Sequence, residues 1–142
     1  METTTTRYPI PTGAGDLARR TTVGVLTAVV ATLLTRAIAG TLAIDLGATG
    51  AMTPFAAVPL VASAVFAGAG AAVAYAALVR LTERPVRNFV LLAGVVFVGM
   101  LLPVVLFAPA LEVTTAGQAL LVVLHVTVAV PLTAFVIGAV RL

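Results

Sequence analysis

The chain has 142 residues, of which 61% are hydrophobic and only 9% charged, with a net charge of +3 and no Cys. A mean hydropathy of +1.20 lies far above a soluble domain's balance. The missing Cys excludes disulfides, thiolate chemistry and Cys-ligated metals, and no polar stretch is long enough for a separate soluble domain.

Residues 1–20 open the chain with two Pro, two Gly and a Thr tract, Thr3–Thr6, and no apolar period. They read as a flexible, disordered cytoplasmic arm. Residues 21–142 read as one transmembrane domain of four helices at about Thr21–Ile44, Phe55–Val79, Asn88–Ala108 and Ala116–Val140. A bilayer core of roughly 30 Å takes about 20 helical residues to cross, and each run is that long.

The first run also has the outline of a signal peptide: Arg19-Arg20, the apolar stretch Val23–Leu34, then Ala37-Ile38-Ala39. Arg36, just before the small residues, argues against cleavage, and the run is kept as the first helix. Along it Gly24, Ala28, Thr32, Arg36 and Gly40 recur every fourth residue, whereas Val and Leu cover the other side. Small residues let helix backbones approach closely in lipid, so this stripe is expected to face the bundle. In the second run Ala64, Gly68 and Ala72 carry the same spacing, read as packing inside one bundle or as a homodimer seam. Asn88 opens the third run and Pro103 interrupts it, freeing the carbonyl of Gly99. The fourth contains Gln118, His125 and Pro131.

All eight basic residues are Arg. Seven of them, Arg7, Arg19, Arg20, Arg80, Arg84, Arg87 and Arg141, flank one side of the four runs. The two opposite loops carry Asp45 and Glu112 and no Arg. The positive-inside bias therefore places both termini in the cytoplasm, consistent with an even number of crossings. The Arg residues form no groove interleaved with aromatics, so nucleic acid is not expected as a partner. The expected partners are the lipid bilayer of the cell membrane, further copies of the chain, and other membrane helices.

Arg36 and His125 are the two ionisable residues deep in the runs, and such groups are functional candidates because they are costly in lipid. At 1.5 Å per residue Arg36 lies roughly 22 Å from the inner end and His125 roughly 13 Å from the outer one. With Gln118 above His125, and Asp45 and Glu112 at the surface, these five residues make a candidate polar pocket open to the outside. The competing reading is structural, with Arg36 snorkelling to headgroups or pairing with a surface carboxylate. No catalytic residue, cofactor site or metal site is expected. There is one His and no metal-spaced cluster, and Ser63 has no base beside it.

The segments AIAGTLAIDLG (Ala37–Gly47) and ALLVVLHVTVAVPL (Ala119–Leu132), with Asp45 and His125 as the best-matching positions, resemble domain of unknown function family 6069, a family of small four-helix integral membrane proteins. The resemblance implies four helices and no activity. The expectation is thus an all-α four-helix membrane bundle, not an enzyme, acting as a helix-packing subunit or scaffold. The alternative is a small transporter or channel component using the Arg36/His125 pocket.

Overall fold

A computed structural model describes residues 8–142; the Thr3–Thr6 tract and Arg7 lie outside them. Four α-helices follow in order: α1 Ala14–Thr41, α2 Ala57–Leu81, α3 Pro85–Leu106 and α4 Thr115–Val136, with a short 3-10 helix Pro109–Leu111 before α4. Each is long and apolar enough to cross a membrane. Their lengths of 28, 25, 22 and 22 residues correspond to about 42, 37, 33 and 33 Å at 1.5 Å per residue. The protein is an all-helical four-helix membrane bundle.

The helix ends depart from the apolar runs, and local chemistry explains three of the departures. α1 begins at Ala14, inside the segment expected to be a flexible arm. Asp16 in its first turn accepts the backbone N–H of Thr12 at 3.2 Å and holds Arg20 one turn on. An acid in a first turn and an i,i+4 ion pair both favour a helix start. α3 begins three residues before Asn88 because Pro85 is preset for the first helical turn, leaving only residues 82–84 between α2 and α3. Pro103 does not end α3, which runs on to Leu106. α4 ends four residues before Val140, where Gly138 adopts φ 74 and donates to Phe135 O at 3.0 Å, a glycine helix stop.

The neighbours α1 and α4, and α1 and α2, make the closest seams, and glycines mark them. A Cβ on Gly24 would lie 3.2 Å from Cβ of Phe135 and 3.5 Å from Cα of Leu132 in α4. On Gly68 it would run into Val25 of α1. Gly24, Ala28 and Thr32 are buried as the stripe predicts, but Arg36 and Gly40 are exposed. The buried line moves on to Ala39, since a 3.6-residue turn rotates a four-residue repeat off the seam. Leu26, Val30, Leu34 and Ile38 form the outward face of α1.

Two apolar clusters fill the two ends of the bundle. The one at the Asp45/Glu112 end, the outer end in the expected orientation, joins Phe55, Leu60, Val104, Ala108, Val113, Leu121 and Leu124. The inner one joins Leu17, Tyr75, Phe89, Val136 and Ile137, with Tyr75 and Phe89 edge to face at 5.1 Å. Between them the seams run through Ala28, Thr32, Ala64 and Gly68. There Thr32 in α1 and Thr127 in α4 meet at 3.1 Å between hydroxyl oxygens. Thr127 gives its own proton to Leu124 O at 2.8 Å, so Thr32 is the donor of the interhelical bond.

Candidate functional site

Of the five residues singled out from the sequence, Asp45, Glu112, Gln118 and Arg36 lie toward the end formed by the first and third loops and His125 lies midway along α4, and no hydrogen bond or ion pair among the described residues joins any two of their side chains. Arg36 reaches across from α1, and its Nε donates to the carbonyl of Phe55 at 2.6 Å. Phe55 precedes Ala56, the N-cap of α2, so no helix supplies a donor for that carbonyl. Backbone acceptors in low dielectric need a partner, and the guanidinium supplies one. Arg36 thereby pins the end of the first loop, whose Phe55 ring is buried in the outer cluster.

His125 turns to its own helix. Its Nδ1 lies 2.7 Å from the carbonyl of Leu121, four residues back. A carbonyl only accepts, so Nδ1 carries the proton, and in the neutral ring Nε2 is the acceptor. The ring is half-buried. Gln118 is half-buried one turn into α4, and Glu112 is exposed.

Asp45 and Glu112 belong to a clasp between the two outer loops. Asp45 Oδ1 accepts the N–H of Gly47 at 3.0 Å, tightening the turn. The Asp45 carbonyl accepts the Thr114 hydroxyl at 2.7 Å, and the Leu46 carbonyl accepts the Thr114 N–H at 3.2 Å. The same Thr114 hydroxyl caps α4 by accepting from Gly117 N at 3.0 Å. One threonine therefore starts α4 and ties the first outer loop to it. Two glycines allow the approach. Gly47 has φ 82, and a Cβ there would collide with the carbonyl of Glu112; one on Gly117 would come within 2.7 Å of Leu46 O. Glu112 sits in the left-handed region at φ 60, turning the chain out of the 3-10 helix. What the two carboxylate residues contribute is mainly backbone, and the clasp covers the outer cluster.

A second polar assembly, at the opposite end, has a weaker signal in the sequence. Arg20 is buried and makes three contacts: Nε to Asp16 Oδ1 at 3.3 Å, Nη2 to Asp16 Oδ2 at 2.9 Å, and Nη1 to the carbonyl of Pro9 at 2.8 Å. It packs against Gly138, where a Cβ would meet both the guanidinium and Pro9 O. A cation beside the last turn of α4 is also favoured by the helix dipole. The i,i+4 spacing of Asp16 and Arg20 is the signal that a flexible-arm reading of residues 1–20 passes over, and closure of the pair by Pro9 and Gly138 needs the fold. Beside this clasp a cleft of about 210 Å³ is lined by Asp16, Arg19, Arg20, Gly138 and Arg141 among others. Among the described residues no group of three His, Asp or Glu side chains is placed to hold a metal ion.

Residues 12–141 match the family of unknown function DUF6069, and the chain belongs to that family. No curated protein and no solved structure matches it.

Proposed function

We propose that this member of the DUF6069 family is a non-enzymatic helix-packing subunit or scaffold of the cell membrane, with both termini in the cytoplasm. The observation that carries the reading is how the polar groups within the spans are used. Arg36 serves the Phe55 carbonyl, and His125, Ser63, Thr27 and Thr35 serve carbonyls of their own helices. Thr32 is spent on Thr127. Carriers and pores keep ionisable groups facing a cavity so that they can exchange partners. Here such groups satisfy backbone, and the loop clasp lies over the outer cluster. The transporter alternative needs Arg36 and His125 to share a pocket; that their hydrogen bonds go to separate carbonyls supports the scaffold reading.

The test is reconstitution into proteoliposomes holding a proton or potassium gradient. A scaffold leaves the gradient as it is in protein-free vesicles, and in nanodiscs cut from the native membrane it runs as a complex of fixed stoichiometry. Saturable flux that disappears in Arg36→Leu or His125→Ala would overturn the proposal in favour of a carrier.

A further inference from the structure

The Asp16–Arg20 clasp leaves a charge imbalance beside it. Asp16 engages Arg20 through both oxygens and also accepts Thr12 N–H, so its carboxylate is committed. Arg19 lies 3.9 Å from Asp16 with its side chain 61% exposed, and 3.5 Å from a backbone oxygen of Leu142. Both contacts stand at the long limit of such interactions. Arg141, also in the lining of the cleft, has no hydrogen bond or ion pair among the described residues. Two guanidiniums thus line one concavity while Asp16, the acidic side chain in that lining, is occupied by a third.

The cleft is built rather than accidental. Its floor is the buried Arg20, fixed by Asp16 on one helix and by Pro9 O from the segment before it. Its wall is the left-handed turn at Gly138, where a Cβ would run into the Arg20 guanidinium and crowd Pro9 O. Its volume of about 210 Å³ is several times the roughly 30 Å³ share of one water. Val140 and Leu142 also line it, and both side chains are partly exposed. The lining therefore combines a cationic floor with an apolar rim, at the Arg-rich end of a membrane bundle.

We propose that this cleft binds a phosphate group between Arg19 and Arg141. The guanidinium fork matches phosphate oxygens in a two-point contact, which an ammonium does not reproduce. Like charges lining one cleft repel, and a shared anion offsets that repulsion. Basic pockets at the ends of transmembrane helices take anionic headgroups. The apolar rim favours a phospholipid over free phosphate, because acyl chains can lie against Val140 and Leu142 while the headgroup meets the arginines. Binding here goes beyond the scaffold reading and does not depend on it.

Native mass spectrometry of the detergent-purified protein tests the site, with phosphatidylglycerol, phosphatidylcholine and inorganic phosphate as separate probes. One phosphatidylglycerol should be retained in preference to phosphatidylcholine. Arg19→Gln with Arg141→Gln should lower its affinity on the order of tenfold or more, from the contribution of each basic residue near an anionic headgroup. Arg84→Gln, at the same end but outside the cleft, should change it little. Arg19→Lys with Arg141→Lys keeps the charge and loses the fork, so its affinity should fall between wild type and the Gln pair. All variants are surface changes, and unchanged circular dichroism confirms that each is folded. Inorganic phosphate that displaces the lipid one for one supports the phosphate site and assigns free phosphate as its ligand; failure to displace it supports the lipid. Equal losses in Arg84→Gln and the Gln pair, or full retention in the Gln pair, would overturn the site in favour of diffuse attraction.

Discussion

At the scale of single residues, a polar group's environment decides whether it holds the fold or burdens it. Arg36 gives its Nε proton to a loop carbonyl that has no helical donor, so Arg36→Leu should strand Phe55 O. An unpaired acceptor of this kind costs about 1–3 kcal/mol, read as a lower unfolding temperature in detergent. A neutral or raised unfolding temperature would mean that solvent or headgroups already serve that carbonyl. Tyr75 is the opposite case. Its side chain is fully buried and its hydroxyl has no hydrogen-bond partner among the described residues. Tyr75→Phe removes that hydroxyl and keeps the edge-to-face contact with Phe89, so stability should be unchanged or raised. A clear loss would reveal a hydrogen bond that forms in the membrane. The places of Arg36 and His125 along their helices were legible in the sequence because such a place is a count of residues. Their partners were not. Arg36 bonds nineteen residues away across a loop, and no spacing rule foretells which carbonyl an irregular segment will leave open.

At the scale of elements, the helices were legible because in lipid the apolar length of a segment and its helicity are nearly one constraint. Their ends were less so, since they are set by a few polar contacts: Asp16 with Thr12 N–H for α1, Thr114 for α4, Gly138 for the exit of α4. The small-residue stripes named the right seams at Gly24 and Gly68 but over-ran at Arg36 and Gly40, because a strict four-residue repeat drifts on a 3.6-residue helix. Two glycines of α2 make a controlled comparison. A Cβ on Gly68 meets Val25 at once, whereas on Gly70 it meets nothing within 4 Å. Gly68→Leu should therefore destabilise the α1–α2 seam by about 1–3 kcal/mol, the usual range for overpacking, and Gly70→Leu should be tolerated. Thermal unfolding in one detergent compares them, and equal effects would mean that α2 turns a different face to α1. The loop clasp allows a parallel test. Gly47→Ala forces a side chain into the left-handed region against the carbonyl of Glu112, and it should loosen the outer end. Faster proteolysis between residues 42 and 56 would register that loosening, and an unchanged cleavage rate would show that the clasp yields at little cost.

For the whole molecule, the four spans, the charge asymmetry and the two polar assemblies have one polarity. The end carrying Arg19, Arg20, Arg80, Arg84, Arg87 and Arg141 holds the Asp16–Arg20 clasp and the α2–α3 loop. The other end carries Asp45 and Glu112 in loops without Arg, drawn together through Thr114. Arginine-rich short loops stay on the cytoplasmic side during insertion, and the loops here are short enough for that rule to apply. The proposed orientation puts the Arg-rich end inside and the clasped loops outside. Because the chain has no Cys, single-Cys variants report without background. Cys placed at the exposed Glu83 between α2 and α3 should be shielded from a membrane-impermeant maleimide in intact cells and labelled once the membrane is opened. Cys at the exposed Thr49, in the first outer loop, should be labelled in intact cells. Adding arginines to the outer loop gives a sharper form of the same experiment. If the charge difference sets the orientation, two or three Arg near Thr49 should produce a mixed population in which both sites label partially. A population that keeps one orientation, with Thr49 outside, would place the determinant in the helices and their packing instead of in the loops.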